Sequence, residues 1–93
     1  MTELTKFIKR EAKENGETVR TYPLVYGGAS VEVKLYIFFK NGKITRSVKW
    51  GSMENLFLPK DQYRLTYYDL EETMEQISFW HKRGKVSIFK NSE

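Results

Sequence analysis

The chain contains no cysteine, two prolines and one histidine in 93 residues. Without cysteine it can hold no disulfide framework, no zinc ribbon and no thiol nucleophile. That suits a reducing compartment. A lone histidine with no thiol beside it offers no metal-ligand set, and no cofactor is expected. No window approaches 18 consecutive apolar residues, the length below which a helix does not span a bilayer. The N-terminal MTELTKFIKREAKENG is charged throughout and lacks the apolar run of a signal peptide. The expectation is a cytoplasmic protein that does not engage a membrane. Two of the six glycines stand together in GGAS (27–30), which lacks the terminal Lys-Ser/Thr of a phosphate loop and reads as a turn.

What is present is a core and an uneven charge. The length allows one domain, residues 1–93, and 40% of the residues are hydrophobic, with 15% aromatic. Sixteen Lys and Arg against twelve acids give a net charge of +4, which favours an anionic partner without naming one. Between Val33 and Met53 there is no acid, whereas Lys34, Lys40, Lys43, Arg46 and Lys49 fall there. Asp69, Glu71, Glu72 and Glu75 crowd together at a helix start, where they complement the dipole.

Residues 3–15 read as a helix capped by Thr2. Leu4, Phe7, Ile8 and Ala12 form its apolar stripe, Lys6, Lys9, Arg10 and Lys13 its basic face, and Asn15-Gly16 its stop. Residues 17–26 read as a strand that Pro23 assigns to an edge or a bulge. In VEVKLYIFFKNGKITRSVKW (31–50), Asn41-Gly42 marks a two-residue hairpin turn. Lys40 then opposes Lys43, Phe39 opposes Ile44, Phe38 opposes Thr45 and Ile37 opposes Arg46. This register puts Val31, Val33, Leu35, Ile37, Phe39, Ile44, Val48 and Trp50 on a core face. Arg46 is a misfit there unless a bulge or a snorkelling path carries it to the edge.

After Gly51, residues 52–59 are an irregular loop or a single helical turn, and Pro59-Lys60-Asp61 turns the chain. Residues 62–68 read as a strand with Tyr63, Leu65 and Tyr67 on one face. Asp69 and Glu72 open a helix running to about Arg83, stopped by Gly84. Residues 85–90 read as a fifth strand, parallel to the fourth through a right-handed crossover. The fold class is α+β in the order α-β-β-β-β-α-β: a mixed, mostly antiparallel sheet with a central NG hairpin and helices packed on it.

Two surfaces are candidate sites. The second face of the hairpin carries Lys34, Tyr36, Phe38, Lys40, Lys43 and Lys49. Aromatic rings among ammonium groups suit single-stranded nucleic acid, the rings stacking on bases and the lysines meeting phosphates. The plainer reading is that YIFF is a strand buried on both faces, by a helix or by self-association into a homo-oligomer. The second candidate is the far side of the last helix, where Phe79 projects among charges beside Lys82 and Arg83 and could anchor a protein partner.

His81 aligns with the stripe of Leu70, Met74 and Ile77, as a packed, hydrogen-bonded helix-end histidine would. No catalytic residue is assigned. The favoured function is a small non-enzymatic binding or inhibitor module working through protein–protein contacts, such as a mobile-element accessory protein. The alternatives are a nucleic-acid-binding protein using the hairpin face, and a metal-independent ribonuclease using His81 with Arg and Tyr.

Overall fold

The computed structural model of the chain describes residues 3–24, 32–51 and 58–88. Helix α1 (Glu3–Glu14) is followed by strands β1 (Thr18–Pro23), β2 (Lys34–Lys40) and β3 (Lys43–Gly51). A 3-10 turn at Lys60–Gln62 leads into β4 (Arg64–Tyr68) and α2 (Leu70–His81). The strands form one antiparallel meander in the order β1-β2-β3-β4, a small α+β domain. The cap Thr2, the GGAS turn, Val31 and the 52–57 segment lie outside the described residues.

Local chemistry sets the boundaries. Asn41 and Gly42 have φ angles of 54° and 79°, the left-handed conformation that a tight hairpin demands and that Asn and Gly tolerate best. Pro23 ends an edge strand, where its missing N–H breaks no ladder. The Asp69 carboxylate accepts from the Glu72 backbone N–H at 2.8 Å while the Glu72 carboxylate reaches back to the Asp69 N–H at 3.4 Å. This reciprocal cap starts α2.

The hairpin register holds only for its first two pairs. Lys40 faces Lys43 and Phe39 faces Ile44, but Phe38 pairs with Arg46, leaving Thr45 as an extra residue. From there every partner on β3 is displaced by one, so every side chain changes face. Ile37 meets Ser47, Tyr36 meets Val48, Leu35 meets Lys49 and Lys34 meets Trp50. The bulge moves Arg46, Val48 and Trp50 to the face the unbroken register reserves for lysines, and turns Ser47 and Lys49 to the other.

The sheet is thereby covered on both sides. Against α1, Ile8 and Ala12 pack on Tyr36, Phe38 and Val48, with Leu4, Val19, Trp50 and Leu65 around them. Against α2, Ile77 and Trp80 pack on Leu35, Ile37 and Ile44, with Leu24, Val33 and Val86 closing the layer. Burying each large apolar side chain contributes about 1.5–3 kcal/mol, and β2 supplies four of them from adjacent positions. Ser47 and Thr73 are buried in the second layer and satisfy each other through a 2.8 Å hydroxyl pair.

Three expectations need correction. Phe7 belongs to the solvent, at 50% exposure, because it lies about 100° round the helix from Ile8. Leu70 is also exposed; the buried line of α2 runs through Thr73, Ile77 and Trp80. Residues 85–88 are not a strand: the chain instead drops Val86 into the core, and Ser87 Oγ lies 3.3 Å from the Tyr22 hydroxyl. All strand pairs among the described residues are therefore antiparallel.

Candidate functional site

The aromatic hairpin face is closed. Tyr36 and Phe38 are 0% exposed beneath α1, so neither ring is open to stack on a base. Self-association is not needed to bury Tyr36, Ile37 and Phe38 either, since the two helix layers already do so. The lysines do not share a face: Lys49 lies opposite Leu35 on the α2 side, and side chains of directly opposed residues project from the same side of a sheet. Lys34 approaches Glu32 at 3.9 Å, while Lys40 and Lys43 stand exposed at the hairpin tip.

Where the basic platform was expected, the structure places a clamp. The Arg46 guanidinium lies 3.9 Å from the Phe38 ring centroid and donates to Glu11 at 2.8 Å and Glu17 at 2.9 Å. Thr45, the bulged residue, also donates to Glu17, and the Tyr67 hydroxyl donates to Glu11 at 3.3 Å. Burial pushes the Glu17 carboxyl up, but hydrogen bonds from Arg46 and Thr45 and the charges of Arg46 and Lys40 outweigh it, holding the group below its ordinary value. Burial disfavours the charged Arg46, yet its two carboxylate partners reverse that and raise its pKa.

The Tyr67 phenol is raised by burial and by the negative charge of Glu11. With its donors aimed at two carboxylates, Arg46 has no charge left to offer a phosphate. The cluster ties α1, β3 and β4 together. Glu11 and Glu17 were missed as its members; the signal available was an arginine in an apolar register, which requires acids nearby.

His81 is exposed at the end of α2, and its Nδ1–H donates to the Val86 carbonyl at 3.0 Å. Arg46 and Tyr67 face α1, on the opposite side of the sheet. Arg46 and Tyr67 are thus not brought to His81.

The open surface is the outer flank of α2. At 100° per residue, Glu71, Met74, Glu75, Ser78, Phe79 and Lys82 form one stripe, and they line a shallow open depression of about 680 Å³. Phe79 is 46% exposed and forms a T-shaped pair with Trp80, the centroids 4.9 Å apart. The Arg83 guanidinium lies 3.6 Å from its ring centroid and donates to its carbonyl at 2.9 Å, which fixes the ring on the helix surface. Two acids mark one end of the stripe and Lys82 the other. Among the described residues one helix alone lines the depression, so no walls converge on a small molecule.

Phe79, Lys82 and Arg83 are thus gathered on one surface, whereas the hairpin set is divided. Among the described residues no group of three or more His, Cys, Asp or Glu is placed to hold a metal ion, and no helix is long and apolar enough to cross a membrane. Compared with known proteins, the chain matches no family model, no curated protein and no solved structure.

Proposed function

We propose that the protein is a small non-enzymatic binding module that works in the cytoplasm by contact with another polypeptide, through the outer flank of α2. One observation carries this reading: Phe79 is held half-exposed by Arg83 beside Met74, in a depression framed by charges. A rigid aromatic anchor with an apolar neighbour and a polar rim is the anatomy of an interface centre. An inhibitor or a mobile-element accessory protein would use it to occlude a partner. The test is capture from cells of the native host with and without nuclease, comparing Phe79→Asp with Phe7→Asp, an equally exposed phenylalanine on the opposite helix. The expected result is one stoichiometric protein that survives nuclease, is lost in Phe79→Asp and is kept in Phe7→Asp. Capture that depends on nucleic acid overturns the reading.

A second reading has its own observation. Lys6, Lys9, Arg10 and Lys13 form an exposed stripe on α1, which could meet phosphates without any base stacking. Binding to single-stranded RNA would then weaken with salt, with a log–log slope no steeper than about −3 for four contacts. Undetectable binding at low salt removes it.

A further inference from the structure

The α2 flank is chemically self-complementary. Its residues stand at positions 71, 74, 75, 78, 79 and 82, a spacing that is unchanged when read backwards. Laid on an antiparallel copy of itself, the stripe sets Glu71 against Lys82 and Glu75 against Ser78 along its middle, with Met74 beside Met74 at one margin and Phe79 beside Phe79 at the other. We infer that the occupant of this flank is a second copy of the chain, docked α2 to α2 about a two-fold axis passing at the level of Gln76 and Ile77. The assignment rests on reading the flank as a binding surface.

Each juxtaposition has a physical basis. Glu71 and Glu75 are like charges one turn apart, which repel on an isolated helix. Among the described residues neither they nor Lys82 form an ion pair. A second copy supplies the missing counter-charges twice, because a two-fold interface repeats every contact. Met74 meets its own copy along one margin and Phe79 its own along the other, which adds apolar contact on both sides of the polar centre. Ser78, small and able to donate to Glu75 of the copy, lets the helices approach near the axis.

An unrelated partner would have to bring this pattern of charge and shape; the chain already carries it. The α1 stripe of four cations has no such property, since it repels its own copy in either orientation. The sheet separates the two helices, so dimerisation through α2 leaves both basic α1 stripes facing outward.

A contact limited to three helical turns buries less than the ~1,200–2,000 Å² of a standard interface. The dimer is therefore weak and concentration-dependent, with Kd in the range of roughly 10 μM to 1 mM. Sedimentation velocity of the full chain at low salt, from about 1 μM to about 1 mM, tests it, with thermal melting to confirm that each variant is folded.

The expected result is a reversible dimer that Glu71→Lys or Lys82→Glu weakens roughly tenfold, since each substitution turns two attractive pairs repulsive. Combining the two substitutions restores wild-type self-association, because the pairs are re-formed with reversed sign. A chain monomeric throughout, or a dimer indifferent to the swaps or not rescued by their combination, overturns the self-pairing. If such a monomer still captures a host protein through Phe79, the binding-module reading stands without the dimer. If it captures nothing, both readings fall.

Discussion

Arg46→Met removes the charge that joins α1 to the sheet while keeping an apolar side chain over Phe38. In the native protein the Glu17 side chain is only 6% exposed and relies on Arg46 and Thr45 for its hydrogen bonds. Removing the guanidinium leaves a nearly dehydrated carboxylate with one hydroxyl donor. Breaking a fully buried pair costs about 3–5 kcal/mol. Here Arg46 and Glu11 keep 24% and 22% of their side-chain exposure, so water softens the loss to about 2–3 kcal/mol. For a domain of this size that lowers Tm by roughly 10–20 °C.

The pH dependence supplies the sharper test. Glu17 is held below its ordinary value of 4.5, so its contribution is fully present above that pH and is lost as pH falls through the folded-state value. In Arg46→Met the guanidinium's hydrogen bonds and charge are gone, so the Glu17 carboxyl moves up relative to its value in the wild type. Acidification then removes less stability from the variant than from the wild type. Urea unfolding followed by circular dichroism at about pH 7 and about pH 4 should show the difference between wild type and variant shrinking toward acid. Adding Glu17→Gln to Arg46→Met should recover most of the loss at neutral pH, since both charges are then gone. A neutral-pH loss under about 0.5 kcal/mol, or one independent of pH, would refute the clamp as a source of stability.

Gly51 ends β3 at a φ of 117°, and a Cβ there would lie 3.0 Å from a Val33 methyl and 3.1 Å from the Glu32 carbonyl. Gly51→Ala should therefore cost about 2–3 kcal/mol in urea unfolding, and a loss below about 1 kcal/mol would contradict the close approach. Tyr36 is buried with its hydroxyl lacking a hydrogen bond of good geometry, and burial raises its pKa. Tyr36→Phe, assayed the same way, should be neutral or stabilising by up to about 1 kcal/mol; a clear destabilisation would mean that the hydroxyl has a partner worth keeping.

Where one residue type decides the backbone, the fold was legible in the chain. Asn41-Gly42 fixed the hairpin, Pro23 the edge, and Asp69 with Glu72 the start of α2. These features act within four residues and need no tertiary context. Residues 85–88 failed for the opposite reason: a β-like composition names a surface that packs well, and the layer over α2 used Val86 as a plug instead of a strand residue. Phe79 and Lys82 were legible as a surface because helical periodicity alone places them. Glu11 and Glu17 were not, since their role depends on which face Arg46 occupies.

That face turned on Thr45. A turn dictates register only until the first insertion, and no propensity announces an insertion that the sheet itself accommodates. What did announce it was a charge in the core parity. Unbroken pairing would have set Arg46, Val48 and Trp50 on the α2 side and Lys49 on the α1 side, with Arg46 away from Glu11 and Glu17 and the layer under α1 short of two apolar side chains. One extra residue satisfied all four, and it moved the apolar half of β3 under α1. With that layer filled, α1 closes over Tyr36 and Phe38, and the aromatic character that pointed toward nucleic acid becomes structural. The basic charge that remains outside belongs to α1 and the exposed aromatic to α2, on opposite sides of one sheet. A partner reading both at once would have to wrap the domain, whereas two copies joined through α2 present the basic stripes outward with no change in either chain.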